Sequence, residues 1–229
     1  TQRLGYKPNE EEYIVMGMAA YGEPKYDLED LLYQNNHKGI GFYMPLAHPY
    51  DLAASVQNLY EVKLLQLLKY CEYSNLVLMG GCALNCVANS RIPDRFNIWI
   101  MPSPGDAGSS LGAAALVEKK KLNWQDPYLG YNIDSIVNPK QVVAHLLKFS
   151  YCGIANGRAE FGPRSLGNRS LIADPREDIK DTVNEIKKRQ KFRPFAPSIL
   201  EEHFDDYFVG RKNRYMQFVC KTKHDLKSV

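Results

Sequence analysis

The amino-acid sequence predicts an α/β protein with at least part of its sheet parallel. An apolar run, Asn75-Leu76-Val77-Leu78-Met79, ends at Gly80-Gly81, which reads as a buried strand and a tight turn. A second apolar run, Asn97 to Met101, is followed by the loop Pro104-Gly105-Asp106-Ala107-Gly108. A short helix over about Ala83 to Ser90 separates the two runs, and an Ala-rich helix, Ser109 to Lys121, follows with lysines in its last turn. Strand, helix, strand, glycine loop, helix is the order of a parallel α/β unit. Both glycine turns then fall at strand C-terminal ends, where ligands of open α/β sheets collect.

The remaining elements follow from spacing and punctuation. Pro49 to Cys71 carries Leu52, Val56, Leu59, Tyr60, Leu64, Leu67, Leu68 and Cys71 at helical intervals, with Asp51 as the expected N-cap. Leu122 to Pro139 is rich in turn residues, including Pro127, Gly130 and Asn132, and reads as a linker. It divides the chain into a domain over residues 1–122, a linker at 123–139 and a domain over 140–229. Beyond it, Lys140 to Phe149 is expected to be helical and Gly153 to Ala155 a strand. Gly157 to Ser170 is a glycine- and arginine-rich loop. Arg176 to Arg189 is an amphipathic helix with Ile179, Val183 and Ile186 on one face, and Phe192 to Leu200 is extended.

Composition narrows the functional classes. With 45% hydrophobic and 24% charged residues, the chain has an ordinary globular balance and enough length for a core without a disulfide or metal staple. A net charge of +3 does not point to nucleic acid or a membrane surface, and no apolar run is long enough to cross a bilayer. The basic residues cluster from Arg158 to Arg193, which points to a local anionic ligand. Cys71, Cys82, Cys86, Cys152 and Cys220 are odd in number and show no CxxC spacing, so reduced thiols and a cytoplasmic location are expected, with Cys82 and Cys86 as buried helix-turn neighbours and a metal pair as the alternative. The five histidines, His37, His48, His145, His203 and His224, are scattered and read as structural or exposed. The first residue is Thr1 and the last, Val229, follows a strand-like segment, which suggests part of a longer protein.

Four motifs carry candidate chemistry. In Gly80-Gly81-Cys82-Ala83-Leu84-Asn85, two glycines let a ligand approach the backbone and Asn85 offers both a donor and an acceptor. A plain tight turn is the alternative. Asp106, between glycines at a strand end, is either a metal or metal-phosphate ligand or the N-cap of the Ala-rich helix. In residues 157–170, Arg158, Arg164 and Arg169 stand among three glycines and Pro163, a pattern suited to phosphate or carboxylate, with Glu160 holding one arginine in place. The alternative is a surface loop with solvated arginines. Lys187 and Arg193 bracket an extended stretch fixed by Pro194 and Pro197; a solvated charge run at a helix end is the alternative, but Arg193 lies between aromatic residues that can position it.

In this order the motifs resemble the O-carbamoyltransferase family that includes nodulation protein U and the cephalosporin and tobramycin carbamoyltransferases. Residues 12–22 resemble the family's E-Y-K-V-M-G-L-A-x-Y-G, Gly80 to Asn85 its G-G-V-A-L-N, and residues 105–108 its G-D-A-G. Residues 157–170 are similar to G-R-M-E-F-G-P-R-A-L-G-N-R-S, Ala173 to Arg176 continue that match, and residues 192–200 resemble F-R-P-F-A-P-S-V-L. Ile14 replaces a usual Lys, Cys82 a usual Val, and Arg189-Gln190-Lys191-Phe192 stands for R-E-x-F. A match of this length and density is far more specific than a lone glycine turn.

The resemblance implies part of an actin-like ATPase domain, similar to the threonylcarbamoyl-transfer enzyme of tRNA modification. Part of an α+β domain similar to threonylcarbamoyl-adenylate synthase would follow it. It implies ATP and carbamoyl phosphate as substrates, carbamoyl adenylate as the intermediate, and a hydroxyl-bearing small molecule as acceptor. It also implies a divalent metal, iron by the resemblance with magnesium as the alternative. Carried over by position, Asp106 is the metal ligand and Gly17, Gly80, Gly81 and Asn85 line the nucleotide site. Arg158, Arg164, Arg169, Lys187 and Arg193 are the cations of the adenylate-forming domain. The family's paired metal-binding histidines lie upstream of the matched stretch and its T-S-F-N segment downstream. The expected reading is therefore a fragment lacking both ends, or one half of a split enzyme served by a partner chain. Two rivals stand beside it: an actin-fold small-molecule kinase, which has no need of the arginine loop, and a non-catalytic subunit.

Overall fold

A computed structural model describes residues 1–33, 44–134 and 137–224; His37 lies outside them. The chain forms two compact units, one of residues 1–74, 87–96 and 192–194, the other of residues 75–86, 97–191 and 195–229.

The first unit is helical. α1 (Glu12–Ala19) packs on α2 (Pro49–Leu68) through Ile14, Val15, Met18 and Ala53, with Phe192 and Tyr50 against the same cluster. A second cluster joins Leu28, Leu31 and Leu52. α2 starts at Pro49 as expected, but with Pro49 in its first turn the N-cap is His48 and not Asp51. Asp51 therefore lies inside the first turn, where its carboxylate accepts from the Glu23 N–H and from Lys25 Nζ, both at 2.9 Å. These two bonds hold it below the usual carboxylate range. The helix ends at Leu68, before Cys71, and Leu67 is exposed. α3 (Cys86–Asn89) is a single turn whose Ala88 and Asn89 are buried.

The second unit holds mixed helix and small sheets. β1 (Asn75–Leu78) and β2 (Asn97–Ile100) pair in parallel, Asn75 opposite Asn97 and Leu78 opposite Ile100. The helix expected over about Ala83 to Ser90 is realised only as α3, and a 3-10 turn, Gly81–Leu84, precedes it; Cys82 is exposed on that turn where burial was expected. β2 leads through the buried residues Met101 to Pro104 and a 3-10 turn, Asp106–Gly108, into α4 (Ser109–Glu118). Lys119 adopts a left-handed conformation and stops α4, so the lysines lie beyond the helix.

β3 (Asn132–Ile133) follows, then α5 (Pro139–Phe149), whose N-cap Asn138 accepts from the Lys140 N–H at 3.0 Å. β4 (Tyr151–Ala155) pairs antiparallel with β6 (Arg169–Ala173), and β5 (Gly157–Arg158) pairs antiparallel with β3. α6 spans only Lys180–Ile186. Upstream, Asp174 accepts from the Arg176 N–H at 3.0 Å, which turns the chain where a helix was expected to begin. Val183 faces the interior as expected, but Ile186 is exposed and Asn184 takes the second buried place. α7 (Phe204–Tyr207) and the antiparallel pair β7 (Phe208–Val209) and β8 (Lys221–Thr222) complete the unit.

Two expectations meet different local structure. Strands β1 and β2 read as buried, yet Val77 and its cross-strand partner Trp99 are 61% and 49% exposed. The linker segment is also not free of structure, because residues 127–133 hydrogen bond with the arginine loop as described below. No described helix is long and apolar enough to cross a membrane.

Candidate functional site

Three of the four motifs come together in the second unit. Gly80, at φ +89°, turns the chain at the end of β1 in a conformation that L side chains rarely adopt. Its N–H donates to Pro104 O at 2.7 Å, which fastens the first glycine turn to the loop after β2. Gly105 faces Gly81, since a methyl built on Gly105 would lie 3.8 Å from the Gly81 Cα. Parallel pairing brings the two strand ends level, so both turns open at the C-terminal edge of the sheet.

The arginine loop lies against both turns. Arg164 Nη2 donates to Leu84 O in the first turn at 3.1 Å, across 80 residues of sequence. Gly162 approaches the chain after β2 so closely that a methyl there would meet Ser103 Cβ at 3.2 Å and Pro102 O at 3.3 Å. A side chain at this position would crowd these atoms and be strained by the φ of +142°.

The three arginines have different surroundings. Arg169 donates to four backbone carbonyls: Asn156 O at 2.8 Å, Asn168 O at 2.7 Å, Tyr131 O at 2.9 Å and Gly157 O at 3.2 Å. Arg164 makes one side-chain bond among the described residues, to Leu84 O. Arg158 is exposed, and its guanidinium has no hydrogen-bond or ion-pair partner among the described residues. It borders a cleft of 490 Å³ lined also by Trp124, Leu111, Leu122, Leu129 and Asn168.

Glu160 holds backbone amides and, among the described residues, no arginine side chain, contrary to the expectation of an ion pair. Its Oε1 accepts from the N–H groups of Leu166 at 2.7 Å, Asn168 at 2.9 Å and Arg169 at 3.2 Å. Burial raises the pKa of this carboxyl, but the amide donors outweigh burial and the net shift is downward.

Residues 127–133 close around the loop. Phe161 N–H donates to Pro127 O at 2.6 Å, Gly130 N–H to Ala159 O and Ala159 N–H to Tyr131 O, both at 2.9 Å. The Tyr128 hydroxyl donates to Leu166 O at 3.0 Å, and its pKa is raised by burial and then by the Glu160 charge. Asn168 Nδ2 donates to Arg158 O at 2.8 Å. Tyr128, Asn168 and Ser103 were not singled out from sequence. The only local signals for the first were Pro127 and Gly130, which read as linker punctuation.

The remaining candidates are placed as follows. Asn85 ends the first glycine turn and donates its N–H to Cys82 O at 3.0 Å. Lys187 ends α6 and is exposed. Arg193 belongs to the first unit, with its guanidinium 4.7 Å from the centre of the Tyr13 ring. Gly17 is also in the first unit, inside α1, where a methyl would touch the Phe192 ring at 3.6 Å.

Asp106 is exposed, and Gly108 takes the N-cap of α4 without a side-chain bond, so the carboxylate does not cap the helix. It has no hydrogen-bond or ion-pair partner among the described residues. No group of three or more His, Cys, Asp or Glu side chains suited to a metal occurs among the described residues. They therefore supply one metal donor at this edge and do not by themselves fit a metal ion.

Comparison with known proteins follows the same motifs. Residues 43–115 match the carbamoyltransferase N-terminus family and residues 143–229 the carbamoyltransferase C-terminus family. The chain belongs to the carbamoyltransferase family. It is 35% identical to an uncharacterized protein of Synechocystis over 99% of this chain and 49% of that protein. It is 30% identical to nodulation protein NolNO of Sinorhizobium fredii, over 96% of this chain and 41% of the relative. Nodulation protein U of the same organism is 36% identical over 65% of this chain and 30% of its own length. The chain thus spans about half, or less, of the length of these relatives.

Proposed function

We propose that this chain forms the carbamoyl-activating and part of the carbamoyl-transferring machinery of an O-carbamoyltransferase. The donor is carbamoyl phosphate, ATP activates the carbamoyl group as carbamoyl adenylate, and a hydroxyl-bearing small molecule accepts it. The observation that carries the reading is the joining of the arginine loop to both glycine turns through Arg164–Leu84 and Gly162–Ser103. An actin-fold kinase would need the glycine turns alone. A site that also commits fixed guanidinium groups suits two phosphorylated substrates handled together.

In this reading Gly80, Gly81 and Asn85 offer backbone and amide contacts to nucleotide, and Arg158 and Arg164 face phosphoryl and carbonyl oxygens. Lys187 and Arg193 are the remaining cations, and Gly17 belongs to the nucleotide site. Residues 1–122 are assigned to an actin-like transfer domain and 140–229 to a synthase-like activating domain, joined at 123–139. Forming carbamoyl adenylate from carbamoyl phosphate and ATP consumes one water and releases phosphate and pyrophosphate. The acceptor hydroxyl then attacks the carbamoyl carbon and AMP leaves. Asp106 is proposed as one ligand of a divalent metal, iron or magnesium, whose other ligands come from polypeptide outside the described residues. That polypeptide is either more of the same protein or a partner chain, and the proposed location is cytoplasmic.

The test is incorporation of labelled pyrophosphate into ATP by the intact protein. Incorporation that requires carbamoyl phosphate supports the activating step. ATP turnover with no such requirement favours the kinase, and ATP binding without turnover favours a non-catalytic subunit.

A further inference from the structure

The arginine loop contains a carboxylate and a guanidinium that do not contact each other and are both occupied by main chain. Glu160 gathers the N–H groups of Leu166, Asn168 and Arg169 on one oxygen. Arg169 gathers the carbonyls of Tyr131, Asn156, Gly157 and Asn168. One group organises donors and the other acceptors, and Asn168 is held by both through its N–H and its C=O. Between the anchored points lie Arg158, whose C=O is fixed by Asn168 Nδ2, and Arg164, which reaches Leu84.

The geometry points to Glu160 and Arg169 as positioning residues for the anion site. They form a two-ended clasp on the backbone that sets where Arg158 and Arg164 stand, and neither contacts substrate. This rests on the proposed reading of the loop as the carbamoyl phosphate and ATP site. It removes Arg169 from the set of substrate-facing cations and leaves Arg158 and Arg164 in that role.

Three physical arguments support the division. A guanidinium has five N–H donors in a fixed fork, and four bonds from Arg169 to carbonyls leave little for a phosphate. A lysine cannot reproduce this, because its three donors radiate from one atom and cannot reach strands on either side together. Glu160 acts from inside a polar loop with no lysine or arginine side chain bound to it among the described residues, so its charge serves the amides. An arginine that moves loses the advantage of a geometry set before reaction, and the clasp limits that motion.

The test uses Glu160→Gln and Arg169→Lys in the intact protein, with three readouts. Hydrogen exchange at the amides of Leu166, Asn168 and Arg169 reports the clasp without any chemistry. Exchange there should quicken about 10-fold or more in Glu160→Gln, which keeps an acceptor oxygen at the same reach but no charge. Pyrophosphate exchange should show a KM for carbamoyl phosphate raised up to about 100-fold in Arg169→Lys, the scale of a misplaced positioning group. Glu160→Gln should fall between that variant and wild type. Thermal midpoints should move by only a few degrees. A lowered midpoint with unchanged KM and kcat would reduce the pair to a purely structural role and overturn the proposal, as would unchanged amide exchange in Glu160→Gln. If wild type itself shows no dependence on carbamoyl phosphate, the functional reading fails. The amide exchange still decides the clasp, and phosphate or pyrophosphate binding measured by calorimetry then replaces KM.

Discussion

The arginine loop and the β1–β2 ribbon with α4 meet solvent in opposite ways. The loop carries three arginines, a glutamate and an asparagine, and most of these are occupied by its own backbone or by residues 127–133. The ribbon and α4 are apolar, yet Val77, Trp99, Leu116 and Val117 are largely exposed, and α4 has no buried residue. A parallel pair normally has both faces covered; here Ile100 on one face is buried, while the face carrying Val77 and Trp99 is exposed among the described residues. Polarity therefore does not decide which segment is ordered by internal contacts. The loop is ordered because its charged groups find main-chain partners at distances that a short segment cannot supply alone.

The largest expected effect lies at the ribbon's edge. Asp106→Asn should abolish carbamoyl transfer in the intact protein while carbamoyl-phosphate-dependent pyrophosphate exchange persists. Metal content measured on the same sample should fall. Full transfer with unchanged metal would return Asp106 to an ordinary turn residue.

Within the loop, Arg164→Lys keeps the charge but loses the fork, and Arg158→Gln loses the charge. Each should slow pyrophosphate exchange by about 100- to 1000-fold, the usual cost of losing one preorganised donor. Equal rates in both variants and wild type would break the contrast between substrate-facing and clasping arginines.

Acid should loosen the loop's surroundings at lower pH than is usual for carboxylates. Asp174 is lowered from 3.8 to about 2, first by its bond from the Arg176 side chain and then by the Arg176 N–H. A lowered folded-state pKa contributes stability that is full above pH 3.8 and lost as pH falls toward about 2. Glu160, also lowered, acts in the same direction. Asp174→Asn should flatten the acid side of a stability profile from pH 5 to 2, read by denaturant midpoint.

The smallest effect is expected on the ribbon side. Val117→Ser should change stability of this chain by less than about 0.5 kcal/mol, as for exposed positions without special contacts. Val183→Ala, at 3% exposure, should cost more, on the order of 1–2 kcal/mol. A loss at Val117 as large as at Val183 would show that α4 is covered in solution.

Limited proteolysis sharpens the same comparison. Residues 127–133 read as a linker because Pro127, Gly130 and Asn132 are turn formers, yet they hold the loop through main-chain bonds. Cleavage should come at the exposed lysines after α4 before it comes at 127–133. Early cleavage inside 127–133 would restore the linker reading.

The sequence by itself determined the parallel strand pair, its two glycine turns, most helix positions and the family, because these depend on spacing and composition over a few residues. Helix ends depended on single capping choices, as at His48 and Lys119, which periodicity does not register. Only the tertiary structure decided which arginine is enclosed, what Glu160 binds and which hydroxyl reaches the Leu166 carbonyl. Those choices join residues far apart in the chain, 38 positions for Arg169 to Tyr131 and 80 for Arg164 to Leu84. A guanidinium carries the same charge and the same donors wherever it stands. Its role is fixed by which acceptors the folded backbone brings within 3 Å or so, and no local pattern encodes that.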